Sequence, residues 1–552
     1  MEINYLGLNK EIIGVFLVIY ALVGGITFIS AKIKGYLGLG IFCLVFFVGI
    51  YFDQNFKSSF FPILLPYGFL PAIVLGGLLG IGKIEKRAEP LVDVEIITRK
   101  GKKIIRNVFA GVGVFGASRS GKTASVIYSL LLHFSKWLFS GVIYDYKNGE
   151  LTEICIPLFG KERVKIFAIH RPDISVRINP IYPKYLEDEK DVNEICSVLL
   201  DNLVTEHKGN ADFFYETALS LLSALVLKFS IKHPEYCTLP HIIAFILSVD
   251  FSLKEEESKG LKADSYDTFL GLKKFLTDDK RVKIQASSFI LGLASEKQTA
   301  GVVSTLANAL RKISFPQSFW GLSQNDLELN LNHKDNKTIL SVLNEPKNEK
   351  TLTPFLAMII HSVTRQMMTR HQEPAFILLD EAPTIKLKNM ARIASTMASF
   401  GIVTVYCAQD ISQAVIQYGK DGFKAILANL STLFFGRAND PDTGKFYEQY
   451  FEPKKIKTRS VSTGRGGTSN TLSEKEVPKV RAHEFTKFVA GKFAFISGGK
   501  SEVIQFPKFN IEKESLEEVE VMKNKMIDKY NSIIEEMDLF AKSIGVSESG
   551  KF

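Results

Sequence analysis

Three long apolar stretches come first, and polar alternation sets in only after them. Ile12–Ser30, Tyr36–Phe52 and Phe60–Gly82 are nearly free of charge, and each is about as long as a bilayer-crossing helix requires. Basic residues sit in the short flanks: Lys32 and Lys34 after the first stretch, Lys83, Lys86 and Arg87 after the third. Three spans put both groups on the cytoplasmic side, as the positive-inside rule asks, whereas two spans would separate them. Pro62, Pro66 and Pro71 predict a kink or a re-entrant course in the third stretch. A cleaved leader does not fit, because two further apolar segments follow the first. Residues 1–88 are therefore read as a membrane anchor with two or three transmembrane helices, three being the count the orientation favours.

Beyond the anchor, short apolar runs alternate with helical periodicity. Val108–Phe115, Gly141–Asp145, Val164–Phe167, Thr338–Val342, Phe376–Asp380, Thr404–Ala408 and Leu433–Gly436 are predicted strands, most of them bounded by polar turns. Near-continuous apolar strands separated by helices mark a parallel sheet covered on both faces. Between Tyr185 and Ser314 the texture changes to helical spacing, as in Val192–Leu203, Phe213–Phe229, Ile242–Leu247 and Gln298–Ile313. Those apolar stripes are read as core packing. The fold class this predicts is α/β, a domain of the RecA-like kind with an inserted all-α domain, preceded by N-terminal transmembrane helices. The expected boundaries are 89–184 and 315–510 for the split α/β domain, 185–314 for the insertion and 511–552 for a charged helical tail. Arg459–Ser473, rich in Ser, Thr and Gly, is read as a mobile loop, and strand signals resume at Lys492–Ser497.

The predicted strand Val108–Phe115 runs into Gly116-Ala117-Ser118-Arg119-Ser120-Gly121-Lys122-Thr123, which fits G-x-x-x-x-G-K-[ST] without a mismatch, and Ala124 opens a helical stretch. Strand, glycine-bearing turn and helix are the context this motif needs, because the turn and the helix start aim backbone N–H groups at a phosphate chain. Gly116 to Ala124 would cradle ATP. Lys122 would reach its β- and γ-phosphates, and the Thr123 hydroxyl would ligate Mg²⁺.

Phe376-Ile377-Leu378-Leu379 is followed by Asp380-Glu381. A buried strand would deliver both carboxylates beside the loop, Asp380 to the Mg²⁺ shell and Glu381 to the attacking water. The two motifs stand at 122 and 380, further apart than a minimal nucleotide-binding core, so the pairing itself demands an insertion. Gln409, at the end of the next predicted strand, is placed to sense the γ-phosphate. A transporter of the ABC type would need L-S-G-G-Q before the acidic strand. The nearest string, Ile496-Ser497-Gly498-Gly499-Lys500, lies after it and lacks the glutamine.

Composition adds limits. Hydrophobic residues make up 46% and charged ones 23%, a globular balance once the anchor is set aside. A formal charge of +9 over 552 residues is mild and does not by itself imply nucleic acid. Cys43, Cys155, Cys196, Cys237 and Cys407 are scattered without a C-x-x-C pair, which argues for reduced core residues over zinc or a disulfide framework.

Several strings go beyond a generic ATPase. Val142-Ile143-Tyr144-Asp145-Tyr146-Lys147-Asn148-Gly149-Glu150-Leu151 resembles a strand ending in Asp-x-Lys-Gly-Glu, with Asn148 inserted. Arg177-Ile178-Asn179-Pro180-Ile181 resembles an Asn-Pro signature, and Asp212-Phe213-Phe214 with Ala218 the start of a long helix. Ala408-Gln409-Asp410 resembles a sensor segment. Ile426-Leu427-Ala428-Asn429 and Gly436-Arg437-Ala438-Asn439-Asp440-Pro441-Asp442-Thr443 resemble the stretch beyond that sensor. Over roughly Glu89 to Phe506 the chain resembles the coupling proteins of type IV secretion systems, the membrane-anchored ATPases of bacterial conjugation. The resemblance implies a homo-hexameric ring at the inner (cytoplasmic) membrane, with the NTPase domain cytoplasmic. It implies ATP-driven DNA export, with a relaxase or effector cargo and secretion channel components as partners. Some members carry an intersubunit arginine before the sensor strand. Here Ala398-Ser399-Phe400-Gly401 occupies that stretch, leaving Arg392 and Arg437 as substitutes. Lys386 and Lys388 are candidates to face a channel, against a solvated turn. Two other readings compete: a receptor for protein cargo at a secretion channel, and a septal-type DNA translocase. The last forty or so residues are too few and too charged for the winged-helix module expected of the latter.

Overall fold

The computed structural model describes residues 90–204, 210–249, 267–464, 467–516 and 522–546. All belong to the second of two compact units, Glu89–Phe552. The three apolar stretches expected to cross the membrane lie outside the described residues.

The described chain begins with a small antiparallel pair, β1 (Val94–Thr98) and β2 (Gly101–Ile105). The central sheet takes β3 (Val112–Phe115), β4 (Ser140–Asp145), β5 (Val164–Phe167), β6 (Ile339–Leu343), β7 (Ala375–Leu379), β8 (Ile402–Ala408) and β9 (Thr432–Phe435). A separate ribbon, β10 (Pro453–Gly464) with β11 (Gly467–Pro478), precedes the last two sheet strands, β12 (Lys492–Ser497) and β13 (Lys500–Gln505). The nine-stranded order is β13-β12-β9-β3-β8-β7-β4-β6-β5. It is parallel from β9 to β5, and β12 runs antiparallel to both β9 and β13.

The helices come in three groups. α1 (Tyr128–Lys136) and α2 (Glu150–Phe159) follow β3 and β4. Among the described residues eight helices then lie between β5 and β6: α3 (Glu189–Leu203), α4 (Asn210–Lys232), α5 (Leu239–Ser248), α6 (Asp267–Thr277), α7 (Lys280–Gln285), α8 (Ser287–Gly292), α9 (Glu296–Arg311) and α10 (Pro316–Leu322). α11 (Glu349–Met367), α12 (Met390–Thr396), α13 (Ile411–Ala428), α14 (Pro441–Glu448) and the terminal α15 (Lys523–Ser543) complete the set. Aspartates start several of them. The Asp188, Asp279, Asp410 and Asp440 side chains accept backbone N–H bonds at the first turns of α3, α7, α13 and α14, satisfying donors that a helix start leaves open.

Strands β3, β4, β7 and β8 are buried along their whole length, as central strands covered on both faces must be. Alternate residues feed two cores. Val112, Val114, Ile143, Phe376, Leu378, Val403 and Val405 meet α1 and α2 through Leu130, Leu131, Phe134 and Ile154. Phe115, Val142, Tyr144, Ile377, Leu379 and Tyr406 face the other way, toward α11, α13 and the inserted helices. The result is three layers, with the Phe134 and Phe376 rings stacked 4.6 Å apart in the first interface.

One local expectation changes. Arg459–Ser473, read as a loop, falls largely in the β10–β11 ribbon, which pairs over twelve residues from Pro453↔Pro478 to Gly464↔Gly467. Its Thr and Val residues suit extended backbone. The terminal segment, read as a charged helical tail, is helical and packs onto the insertion. α15 buries Met526, Ile533, Met537 and Ala541 against α5 and α10. Phe540 joins Phe229, His233, Tyr236, Phe245 and Phe275 of the inserted helices, at 4.8 to 6.0 Å between ring centres. Among the described residues one helical stretch, Phe213–Lys232 in α4, is long and apolar enough to cross a membrane; most of it is buried inside the protein.

Candidate nucleotide site

β3 ends at Phe115, and the chain turns through Gly116–Lys122 into a π-turn, Thr123–Ile127, that runs on into α1. The turn needs two left-handed residues, Arg119 (φ 60°) and Gly121 (φ 89°). Gly121 is doubly constrained: a Cβ there would lie 2.7 Å from the Gly491 nitrogen, which donates to the Ser120 carbonyl at 2.8 Å. Lys122 is buried, and its Nζ donates to the Gly116 carbonyl at 2.5 Å. Burial pushes its ammonium below the ordinary lysine range, opposed by the Glu381 and Asp380 charges. Ser120 is buried with its hydroxyl unpartnered among the described residues. Ser118, Arg119 and Ala124 are exposed, and Thr123 is half-buried.

Asp380 and Glu381 leave the end of β7. The Asp380 N–H donates to the Tyr144 carbonyl at 3.0 Å, and both carboxylate oxygens are buried without a hydrogen-bond partner among the described residues. Burial is the chief reason its pKa rises to about 7; Lys147 opposes the rise, Asp145 and Glu381 add to it, and Lys122 opposes it. Glu381 is also buried, in left-handed backbone (φ 56°), a conformation that a non-glycine residue keeps only where its surroundings hold it. Its Oε1 accepts the Gln409 main-chain N–H at 3.0 Å, and its Oε2 has no partner among the described residues. The Gln409 side-chain amide, singled out in the sequence, is half-buried; the bond to Glu381 comes from its backbone.

β8 lies between β3 and β7, so the loop and the acidic pair stand at the same carboxyl end of the parallel strands, where open α/β sheets place ligands. Two residues join them that the sequence had not given a role. Lys147 pairs with Glu150 at 2.9 Å and feels the Asp380 and Glu381 charges. Asp145, fully buried, accepts from the Leu151 and Thr152 N–H groups and from the Thr152 hydroxyl, which fixes the turn that carries Lys147. The Asp-x-Lys string was the available signal. Arg437 lies against the phosphate loop, its Nη2 donating to the Ser118 carbonyl at 2.9 Å. Arg392 is exposed on α12. Lys386 and Lys388 meet the inserted helix α3: Asn202 bonds the Lys386 backbone, and the Lys388 Nζ donates to the Ser197 hydroxyl at 2.6 Å.

The fold and the site together define a P-loop protein of the α/β class with a large helical insertion. The family described as Type IV secretory system Conjugative DNA transfer matches residues 82–490, well over half of the chain, and the chain belongs to it. The bacterial conjugative coupling protein TrwBdeltaN70, in its unbound monoclinic form, superposes with a TM-score of 0.56 at 13% identity, over 76% of this chain and 90% of that one. The plasmid coupling protein TrwB in complex with ADP and Mg2+ gives 0.56 at 13% identity, over 74% and 87%. TrwB with the non-hydrolysable ATP analogue ADPNP gives 0.54 at 13%, over 74% and 87%. At such identities the likeness is one of fold. No curated protein sequence matches the chain.

Proposed function

We propose that this chain is the ATP-hydrolysing coupling protein of a conjugative type IV secretion system, moving DNA toward the secretion channel. One observation carries the reading: β3 and β7 flank β8 in parallel, so Lys122 and the Asp380-Glu381 pair, far apart in sequence, stand at the same carboxyl end of the sheet. In this reading residues 1–88 anchor the protein in the inner membrane as two or three spans, and the RecA-like domain works in the cytoplasm as part of a homo-hexameric ring. A relaxase bound to the transferred strand is the expected cargo.

The residues fit MgATP. Backbone N–H groups between Ser118 and Thr123, apart from that of Ser120, which the Ala117 carbonyl takes, and the Lys122 ammonium would face the charge of a phosphate chain. Lys122 gives up the Gly116 carbonyl to do so. The partnerless Asp380 oxygens and the Thr123 hydroxyl are the hard oxygen donors Mg²⁺ prefers. When bound, the ion neutralises charge that develops on the phosphoryl oxygens. Glu381 keeps Oε1 on the Gln409 N–H, and its free Oε2 accepts the proton of the attacking water. The water oxygen bonds the γ-phosphorus as the bond to the β,γ-bridging oxygen breaks, leaving ADP and phosphate. Gln409 stands where loss of the γ-phosphate can be felt along β8. DNA is gripped chiefly through its phosphates, so binding weakens as salt rises.

Lys122→Ala in the full-length protein should abolish MgADP binding and ATP turnover, and DNA should stimulate the wild type. Unaltered turnover in Lys122→Ala would end the proposal. A wild-type ATPase indifferent to DNA yet bound tightly by effector proteins would favour a receptor for protein cargo.

A further inference from the structure

We propose that Arg437 acts in cis: it holds the phosphate loop of its own chain in the shape that binds nucleotide, and it does not serve as a finger into a neighbouring subunit. The proposal rests on the nucleotide-site reading above and gives that site one more positioning residue.

The geometry starts at the sheet. β9 lies beside β3 on the side away from β8, in parallel register with Phe115 opposite Phe435. The ladder does not stop where the strands do. The Gly436 N–H donates to the Phe115 carbonyl at 2.7 Å, and the Ala117 N–H donates to the Arg437 carbonyl at 2.7 Å. Two glycines let the chains come this close: a Cβ on Gly116 would stand 3.2 Å from the Gly436 Cα, and one on Gly436 would stand 3.3 Å from the Phe115 carbonyl oxygen. The Arg437 side chain then takes the zipper one residue further, to the Ser118 carbonyl. That carbonyl immediately precedes Arg119, a residue with a side chain held in left-handed backbone. Such a conformation persists only where its surroundings over-determine it. Arg437 supplies a charged donor at that point, and hydrogen bonds to charged groups are among the strong ones.

Two further observations fit a role toward nucleotide in the same chain. The Arg437 Nε is buried and has no partner among the described residues, so a donor is left over beside a loop built for phosphate. The turn after Arg437 also reaches the acidic side of the pocket. Asp440 caps α14 by accepting from the Thr443 N–H, the Thr443 hydroxyl donates to Asp410 at 3.2 Å, and the neighbouring Gln409 N–H holds Glu381. The turn Gly436–Thr443 is thus bonded to the phosphate loop and, through Asp410, to the segment next to the Gln409 N–H that holds Glu381, all within one chain.

The test is MgADP binding to the purified full-length protein, followed with a fluorescent ADP analogue, in wild type, Arg437→Ala, Arg437→Lys and Lys122→Ala. ATP turnover and nucleotide-free melting are measured alongside. Arg437→Ala should weaken MgADP binding by about tenfold, the worth of a charge-assisted hydrogen bond. Turnover at saturating ATP should fall by less than affinity does, and melting should stay put. Arg437→Lys should recover part of the lost affinity, since an ammonium can still donate to the Ser118 carbonyl. Wild-type ADP affinity in Arg437→Ala, with turnover lost and then restored by mixing with Lys122→Ala chains, would overturn the proposal in favour of an arginine working across subunits. A loss of affinity that Lys does not relieve, together with lower melting, would overturn it in favour of a residue needed only for folding. Lys122→Ala that still binds MgADP would defeat the nucleotide-site reading itself.

Discussion

Asp380 offers the sharpest test of how the site is built. Its carboxyl is buried with both oxygens unpartnered among the described residues, and burial above all carries its pKa from the ordinary 3.8 to about 7. In an unfolded chain the group would lose its proton near the ordinary value. Between about pH 4 and 7 the folded protein therefore holds a proton that the unfolded chain has released, and stability falls as pH rises across that window. Above pH 7 the whole cost is present, about 4 kcal/mol at 1.36 kcal/mol per pH unit of separation. Asp380→Asn removes the ionisation while keeping the shape. Without nucleotide and in the presence of a chelator, Asp380→Asn should melt close to the wild type near pH 4. It should melt above the wild type at pH 8 by roughly 4 °C, taking about 1 °C per kcal/mol for a unit of this size. MgADP should reverse the order, because the wild type gains an ion partner that the amide holds poorly. Melting followed by scanning calorimetry across pH 4.5–8 reads this directly. A difference that stays flat with pH would refute the claim that Asp380 is a costly, unpaired carboxylate awaiting a cation.

Two other outcomes rest on the same geometry. Glu381→Gln should keep MgADP affinity near wild type while turnover falls by about 10²–10⁴-fold, the range for loss of a positioned base; a variant that hydrolyses ATP normally would remove Glu381 from the chemistry. Phe540→Ala should destabilise the inserted helices by about 1–3 kcal/mol, less than the cost of truncating a fully buried aromatic because Phe540 is half-buried. The loss would show as lowered protection of α4 and α5 amides in hydrogen exchange; unchanged protection would mean that α15 is dispensable to that core.

Much of the site was legible because its signals are local. Gly116–Thr123 announces itself by spacing, and Phe376–Leu379 ahead of Asp380-Glu381 is an apolar run that can only be a buried strand or a buried turn of helix. The predicted strand at Gly141–Asp145 falls within β4 (Ser140–Asp145), and that at Thr404–Ala408 within β8 (Ile402–Ala408). Where the chain reads polar on both faces, local pattern had less to say. Arg459–Ser473 has no apolar alternation, so nothing marked it as strand, yet it pairs with itself over a long ribbon. Gln409 was chosen for its side chain, and the structure uses its backbone N–H, which no sequence pattern displays.

By itself the sequence determined the kinds of element and the chemistry they carry: apolar runs that must be buried, a glycine turn that admits phosphate, a lysine and an acidic pair. It also set the need for an insertion, since two halves of one pocket so far apart require something between them. The tertiary structure alone decided adjacency. β8 slides between β3 and β7, β9 brings Arg437 back onto the loop of its own chain, and α15 returns from the end of the chain to close the inserted helices. These outcomes depend on contacts between residues hundreds of positions apart. A local pattern records only whether a face is apolar, and many faces are apolar; which one covers which is settled by shape and packing when the whole chain folds.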